Sequence, residues 1–177
     1  MERDAMDYRA HFGVVNEVLT GPGLLLAAYD SAGRANAMAI GWGTVGSVWS
    51  MPMWTVLVRP SRYTCECIEH SRCFTVNVPT RAMEDACLFC GTKSGRDVDK
   101  LAVTGLAVEK ASHVEAPVLV DCPIVYECQV VHSNDLVPDN LTDDILRGCY
   151  PAGDFHRVYF GKIIAARAAE NAAQLLI

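Results

Sequence analysis

The sequence predicts a β-barrel with helices inserted between some of its strands, an all-β-dominated chain, and three observations predict it. Short runs rich in valine, isoleucine and aromatic residues recur along the chain, and Gly, Pro, Asn and Asp punctuate them. Regular strand–helix alternation and a Gly-x-Gly-x-x-Gly turn, the marks of a doubly wound sheet, are both missing. The 177 residues fit one domain, taken as 1–177, large enough to bury a core without disulfides or metal.

The opening residues mix polar and apolar side chains up to the break at Thr20 to Gly23. LLLAAYD then reads as a strand, SAGR as a hairpin-like turn, and ANAMAIGWGTV as a second strand whose small residues permit close backbone approach. GSVWSMP is a turn region ending at Pro52, and MWTVLVR, rich in valine and aromatics, is the strongest strand of the chain. YTCECIEHS fits a helix, and CFTVNVP is a strand stopped by Pro79. TRAMEDACLFCG fits a helix with Thr80 as N-cap, Glu84 in an early turn and Gly91 as its stop. After the GTKSG break, RDVDKLAVTG reads as a short helix or turn. PVLVD, PIVYECQVVHS and RVYFGKIIAARA are further strands, with Tyr126, Cys128, Val130 and His132 alternating along one face of the middle one. The stretch from Asn134 to Asp154 is read as irregular, and loops of that length often cover a site or a subunit boundary.

Composition narrows the function classes. With 51% hydrophobic and 20% charged residues the chain is too apolar for disorder, and some apolar surface is expected to be covered by a partner subunit. A net charge of -6 without a basic stripe excludes nucleic acid as the expected partner. No stretch is apolar for long enough to span a bilayer, and the first residues lack a signal peptide's apolar core, so the expected location is cytoplasmic. The eight cysteines are expected to be free core thiols. CLFC has dithiol spacing, but Cys87 and Cys90 fall late in a predicted helix, away from the end that lowers a thiol pKa.

Three clusters carry candidate chemistry. Arg59, Ser61, Arg62 and Thr64 surround the turn from the strongest strand into a helix, where unsatisfied N–H groups and guanidinium forks suit a phosphate. The plainer alternative is a helix cap flanked by solvated arginines. GTKSGRDVDK offers Lys93, Ser94, Gly95, Arg96 and Lys100 as donors to a phosphate, polyol or carbonyl, or else is a solvated turn before an amphipathic helix. In NAMAIGWG, small residues leave room for a flat ligand and Trp42 and Trp49 could wall it, although core or interface packing explains them as well. His156 stands at the mouth of a strand, able to bond a cofactor or a backbone carbonyl. No nucleophile elbow, zinc motif or catalytic triad spacing is present.

In their order and spacing, NAMAIGW, SVWSMP, RPSRYT with its following helix, FTVNV, GTKSGRDVDK, YECQVVH and GDFHRVYFGKI resemble the flavin reductase-like family, the FMN-binding split barrel group. The resemblance runs from roughly residue 12 to residue 165. It implies a homodimeric split barrel with FMN near the subunit interface. Asn36, Met38, Ala39 and Trp42 would line the isoalloxazine, with Ser47 and Ser50 nearby. Arg59, Ser61, Arg62 and Thr64 would surround the phosphate or ribityl chain, and Ser94, Gly95 and Lys100 would complete that end. His156 matches the family's Asp-His histidine, with Phe155 inserted after Asp154, and His132 is a weaker candidate. The implied activity passes hydride or electrons from NAD(P)H or a protein donor through FMN to an acceptor, with no catalytic side chain assigned. The alternatives are a flavoredoxin-like carrier without direct NAD(P)H activity and a non-catalytic flavin- or haem-binding dimer.

Overall fold

The computed structural model describes residues 1–176. Its main sheet contains β1 (Asp4–Ala5), β2 (Leu24–Tyr29), β3 (Ala35–Ile40), β4 (Gly43–Val48), β5 (Met51–Val58), β6 (Cys73–Val78), β9 (Ile124–Asp135) and β10 (Arg157–Ala168). A separate hairpin pairs β7 (Val108–Lys110) with β8 (Pro117–Leu119). The helices are α1 (Phe12–Thr20), α2 (Tyr63–Ser71), α3 (Glu84–Thr92), α4 (Lys100–Thr104), α5 (Asp143–Cys149) and α6 (Ala172–Leu176).

The antiparallel strand order is β3-β2-β6-β9-β10-β5-β4, with β1 added on β10. The outermost strands of that order, β3 and β4, are consecutive in the chain and joined only by Gly41 and Trp42. So short a connection forces the twisted sheet to curl until its edges meet, yet the edges do not pair. The result is a barrel split along one seam, with Trp42 at the seam. Register shifts in β10, between Phe160 and Gly161 and between Ile163 and Ala165, add the local bending that long strands need to follow the curl.

Side-chain alternation sorts residues into two cores. Leu24, Leu26, Trp54, Val56, Phe74, Val76, Tyr126 and Cys128 pack together, joined by Val15, Val18 and Leu19 of α1 and by Cys65 and Ile68 of α2. The opposite faces of β2, β6 and β9 present Leu25, Cys73 and Val125 to Cys87 and Cys90 of α3 and to Val118 and Leu119 of β8. Both faces of β6 are therefore covered, and all of its residues are buried. Asn77 is buried there without cost in unmet hydrogen bonds, since its amide donates to Leu25 O and Thr75 Oγ1 and accepts from Leu119 N.

Several elements differ from the sequence expectation. The predicted second strand breaks at Gly41–Trp42, because the chain crosses there from one sheet edge to the other. The turn expected through Pro52 shrinks to Trp49 and Ser50, and Pro52 lies within β5. Pairing to β10 ends at Met53, so the missing N–H of Pro52 interrupts nothing on that side. Gly91 lies inside α3, where a Cβ would stand 3.3 Å from the Ala39 side chain; it permits close helix packing on β3 and is no stop signal. His132 leaves the buried face because the register skips Val131 between it and Val130, and it is exposed. The stretch from Asn134 to Asp154 continues β9 to Asp135 and contains a 3-10 turn (Pro138–Asn140) and α5. Among the described residues no helix is long and apolar enough to cross a membrane.

Candidate functional site

A cleft follows the seam. One lobe, of about 190 Å³, is lined by Met38, Ala39, Ile40, Gly41, Trp42, Leu57, Arg59, Arg62 and His156. A second lobe, of about 80 Å³, is lined by Met38, Ser61, Arg62, Tyr63, Thr64, Cys90, Gly91, Lys93, Ser94, Gly95 and Lys100. Met38 and Arg62 line both, so the lobes adjoin. The first is the Trp42 end of the cleft, with polar and apolar groups mixed in its lining; the second, ringed by Arg62, Lys93 and Lys100, is its cationic end.

The polar end is built by the start of α2. Arg62 occupies the N-cap position in extended backbone, no side chain caps the helix, and the N–H groups of Tyr63 and Thr64 find no acceptor among the described residues. Free donors at a helix start favour an anion. Arg62 makes no ion pair among the described residues. Lys100 is 4% exposed and its ammonium has a single partner, Cys90 O at 3.3 Å. Burial first, then the Arg62 charge, hold its pKa below the ordinary lysine value, with Cys90 and Cys67 opposing. A buried cation with one neutral acceptor is an incomplete arrangement that an incoming anion would complete.

The walls of this lobe are fixed by neutral contacts. The Asn36 amide donates to Thr64 Oγ1 at 2.8 Å, tying β3 to α2. Gly95 passes so close to Asn36 and Tyr63 that a Cβ would stand 2.9 Å from Tyr63 Cδ1 and closer still to Asn36 Oδ1, so only glycine fits. Arg96 secures the Gly95 loop by donating to Ser61 O, pairing with Glu66 and lying over the Tyr63 ring.

At the other end Trp42 is 42% exposed, and its ring centroid lies 4.8 Å from that of His156. His156 is buried, with Nδ1 2.8 Å from the Tyr150 hydroxyl. Burial, then the Arg59 charge, lower its pKa to about 4; Asp154 opposes and Arg62 adds to the lowering. The segment carrying Tyr150 is held by Arg59, which donates to Cys149 O, Gly153 O and Asp154 O and lies over the Tyr150 ring. Ser61 Oγ donates to Asp154 Oδ2 at 2.6 Å. Arg59 and Ser61, read from the sequence as anion ligands, thus spend donors on the chain itself.

The family profile of the Flavin reductase like domain matches residues 17–177. The chain belongs to the flavin reductase-like family. Its fold is the split barrel of that family. Flavoredoxin of Desulfovibrio vulgaris (Miyazaki F) aligns with a TM-score of 0.68 at 26% identity, over 84% of this chain and 69% of that one. Flavoredoxin from Methanosarcina acetivorans aligns with a TM-score of 0.67 at 30% identity, over 84% of this chain and 68% of that one. The uncharacterized protein YddH of Escherichia coli (strain K12) is 30% identical over 100 residues, 56% of this chain and 52% of its own length. The chain spans about half the length of that curated relative.

In this flavin reductase-like chain, Met38, Ala39, Trp42, Arg59, Ser61, Arg62, Thr64, Ser94, Gly95, Lys100 and His156 meet along one cleft, with Asn36 bonded behind Thr64. Ser47 and Ser50 do not join them; they stand at the far tip of the β4–β5 hairpin. His132 also lies apart, against Trp49 and Phe160. All eight cysteines are free, and burial raises the thiols of Cys87 and Cys90 inside α3, as expected for core thiols. Tyr150 was missed by the sequence analysis, because no motif marks it and its role depends on a contact made six residues away.

Proposed function

We propose that this chain binds FMN along the cleft and acts as an oxidoreductase, taking hydride or electrons from NAD(P)H or a protein donor and passing them to an acceptor. The observation that carries the proposal is the buried, unmatched Lys100 ammonium at the polar end, beside Arg62 and the open start of α2. Arg62, Lys100, Ser94 and the N–H groups of Tyr63 and Thr64 would hold the phosphate and ribityl hydroxyls. Met38, Ala39, Trp42 and His156 would flank the ring system. When bound, FMN supplies the redox chemistry; the chain orients it, tunes it and limits access.

The two lobes together fall short of the ~300–1,000 Å³ usual for enclosed ligand sites, which suits a cleft completed by a second copy of the chain. Trp49 supports a homodimer: it is 58% exposed, adopts φ 52 in the left-handed region that bulky residues avoid, and clusters with His132 and Phe160. Ser47 and Ser50 share that hairpin tip and would face the partner.

A fluorescence titration with FMN and with riboflavin, which lacks the phosphate, tests the placement. Arg62→Ala is expected to weaken FMN by about 10-fold and riboflavin by less than about 2-fold. Equal losses for both ligands reject the phosphate assignment. The likeness to two flavoredoxins favours a second reading, an electron carrier without direct NAD(P)H activity. Anaerobic mixing with NADH or NADPH separates the two, since rapid flavin bleaching supports the reductase and slow bleaching with tight FMN supports the carrier.

A further inference from the structure

Behind the Trp42 end of the cleft, Tyr150 and His156 form a pair whose protons can be assigned. Their 2.8 Å contact joins the Tyr150 hydroxyl to His156 Nδ1, and the other group acting on that hydroxyl among the described residues is the His156 backbone N–H, a donor. A neutral imidazole has one donor nitrogen and one acceptor, whereas a phenol can do both. If Nδ1 carried the proton, the Tyr150 O–H would need a different acceptor. Its neighbours offer none: Arg59 lies over the ring 5.1 Å from its centroid and only donates, and Phe155 packs against it at 4.9 Å. With Nδ1 as the acceptor, the Tyr150 proton is satisfied and the histidine proton sits on Nε2. That nitrogen has no hydrogen-bond partner among the described residues and is not enclosed, and His156 lines the cleft with Trp42 and Arg62.

We propose that Tyr150 is a positioning residue that locks His156 in the Nε2-protonated tautomer, so that a neutral N–H donor meets an acceptor edge, a carbonyl oxygen or ring nitrogen, of the planar ligand beside Trp42. The ligand half of this inference rests on the FMN assignment; the tautomer half does not.

The surroundings hold the pair rigidly. Arg59 clamps the carbonyls of Cys149, Gly153 and Asp154 on either side of Tyr150 and His156, and the Asp154 carboxylate accepts from Ser61. Asp154 itself adopts φ 55, a left-handed conformation that persists only where several contacts impose it. The charged groups facing His156 are Arg59 after β5, Arg62 before α2 and Asp154 on its own segment, and the two cations with burial outweigh the carboxylate. The ring therefore stays neutral near pH 7 and its donor is always present.

Multiple-bond proton–nitrogen correlation spectra of the isotope-labelled, flavin-free protein read the tautomer directly. The expected spectrum shows His156 unprotonated at Nδ1 and protonated at Nε2. Tyr150→Phe should give mixed tautomers and weaken FMN and riboflavin alike by about 5-fold, because the donor meets the ring system and not the phosphate. His156→Gln, which keeps a neutral donor, should bind both ligands more tightly than His156→Leu. A native His156 protonated on Nδ1 overturns the proposal without recourse to any variant, as does a Tyr150→Phe spectrum identical to the native one. A locked tautomer in a protein that binds neither flavin would uphold Tyr150 as the positioning residue and overturn the FMN assignment.

Discussion

The polar lobe of the cleft and a neighbouring cavity share the wall formed by Tyr63, Gly95 and Lys100, and they differ in how their charges are used. The polar lobe has about 80 Å³ and its neighbour, lined by Asp30, Arg34, Tyr63, Arg96, Asp97 and Asp99 among others, about 200 Å³. In the neighbour the buried Asp30 carboxylate accepts from Ala32 N, Arg34 N, Arg34 Nε and Tyr63 Oη, while Arg96 pairs with Glu66. Burial raises the Asp30 pKa, but those donors outweigh it and hold the group at about 2. Across the wall, Lys100 and Arg62 meet no carboxylate among the described residues. The smaller cavity, not the larger, is the one marked by unmatched charge.

The largest expected effect falls on Lys100. Lys100→Met should weaken FMN by about 100-fold, the scale for truncating one partner of a buried charge contact, and riboflavin far less. The same change should leave thermal stability unchanged or raised, because it removes a buried cation that no carboxylate among the described residues neutralises. A clear loss of stability with FMN affinity intact would turn Lys100 into a structural residue and erase the contrast between the cavities.

Asp30 should behave in the opposite way. Asp30→Ala strands the Tyr63 hydroxyl and the Arg34 guanidinium and should cost about 2 kcal/mol of stability, read from urea midpoints, while flavin affinity changes by less than about 3-fold. The acid dependence has a definite sign. A carboxyl held at about 2 in the folded chain against 3.8 in the unfolded one stabilises above 3.8, and that contribution is lost as pH falls through about 2.

Much of this was legible in the sequence where the signal was local. Strand β10 and helix α2 coincide with the runs RVYFGKIIAARA and YTCECIEHS, because each has a regular apolar pattern with a break at both ends. Helix α1 was missed: His11 precedes it at φ 61, no side chain caps it and its first turn has no acid. Helix α5 was missed because none of its residues is buried, so no apolar face marked it. Within the site, residue type pointed to Arg59 and Ser61 as readily as to Arg62, and only the fold shows that carbonyls of the Cys149–Asp154 segment and the Asp154 carboxylate occupy the first two. Sequence can supply a set of donors, but which of them remain unspent depends on contacts some 90 residues apart.

The smallest effect concerns His156, and it tests whether one charge field governs both ends of the cleft. Its pKa is about 4 in the folded chain against 6.5 when unfolded, so between those values the unfolded state binds more protons. Stability should therefore rise with pH across the window and be lost as pH falls from 6.5 toward 4. Wild-type stability should drop by about 1–2 kcal/mol relative to His156→Gln between about pH 7 and about pH 5, compared by urea unfolding. A constant difference would show that the ring is not held neutral. Arg62 contributes to lowering both His156 and Lys100, so a phosphate placed against Arg62 should relax both groups together. FMN would then raise the His156 titration seen by NMR while riboflavin leaves it lower, and Arg62→Ala would raise it with no ligand present. If FMN and riboflavin move that titration equally, the phosphate does not sit against Arg62, and the unmatched charge that separates the two cavities must be answered by something else.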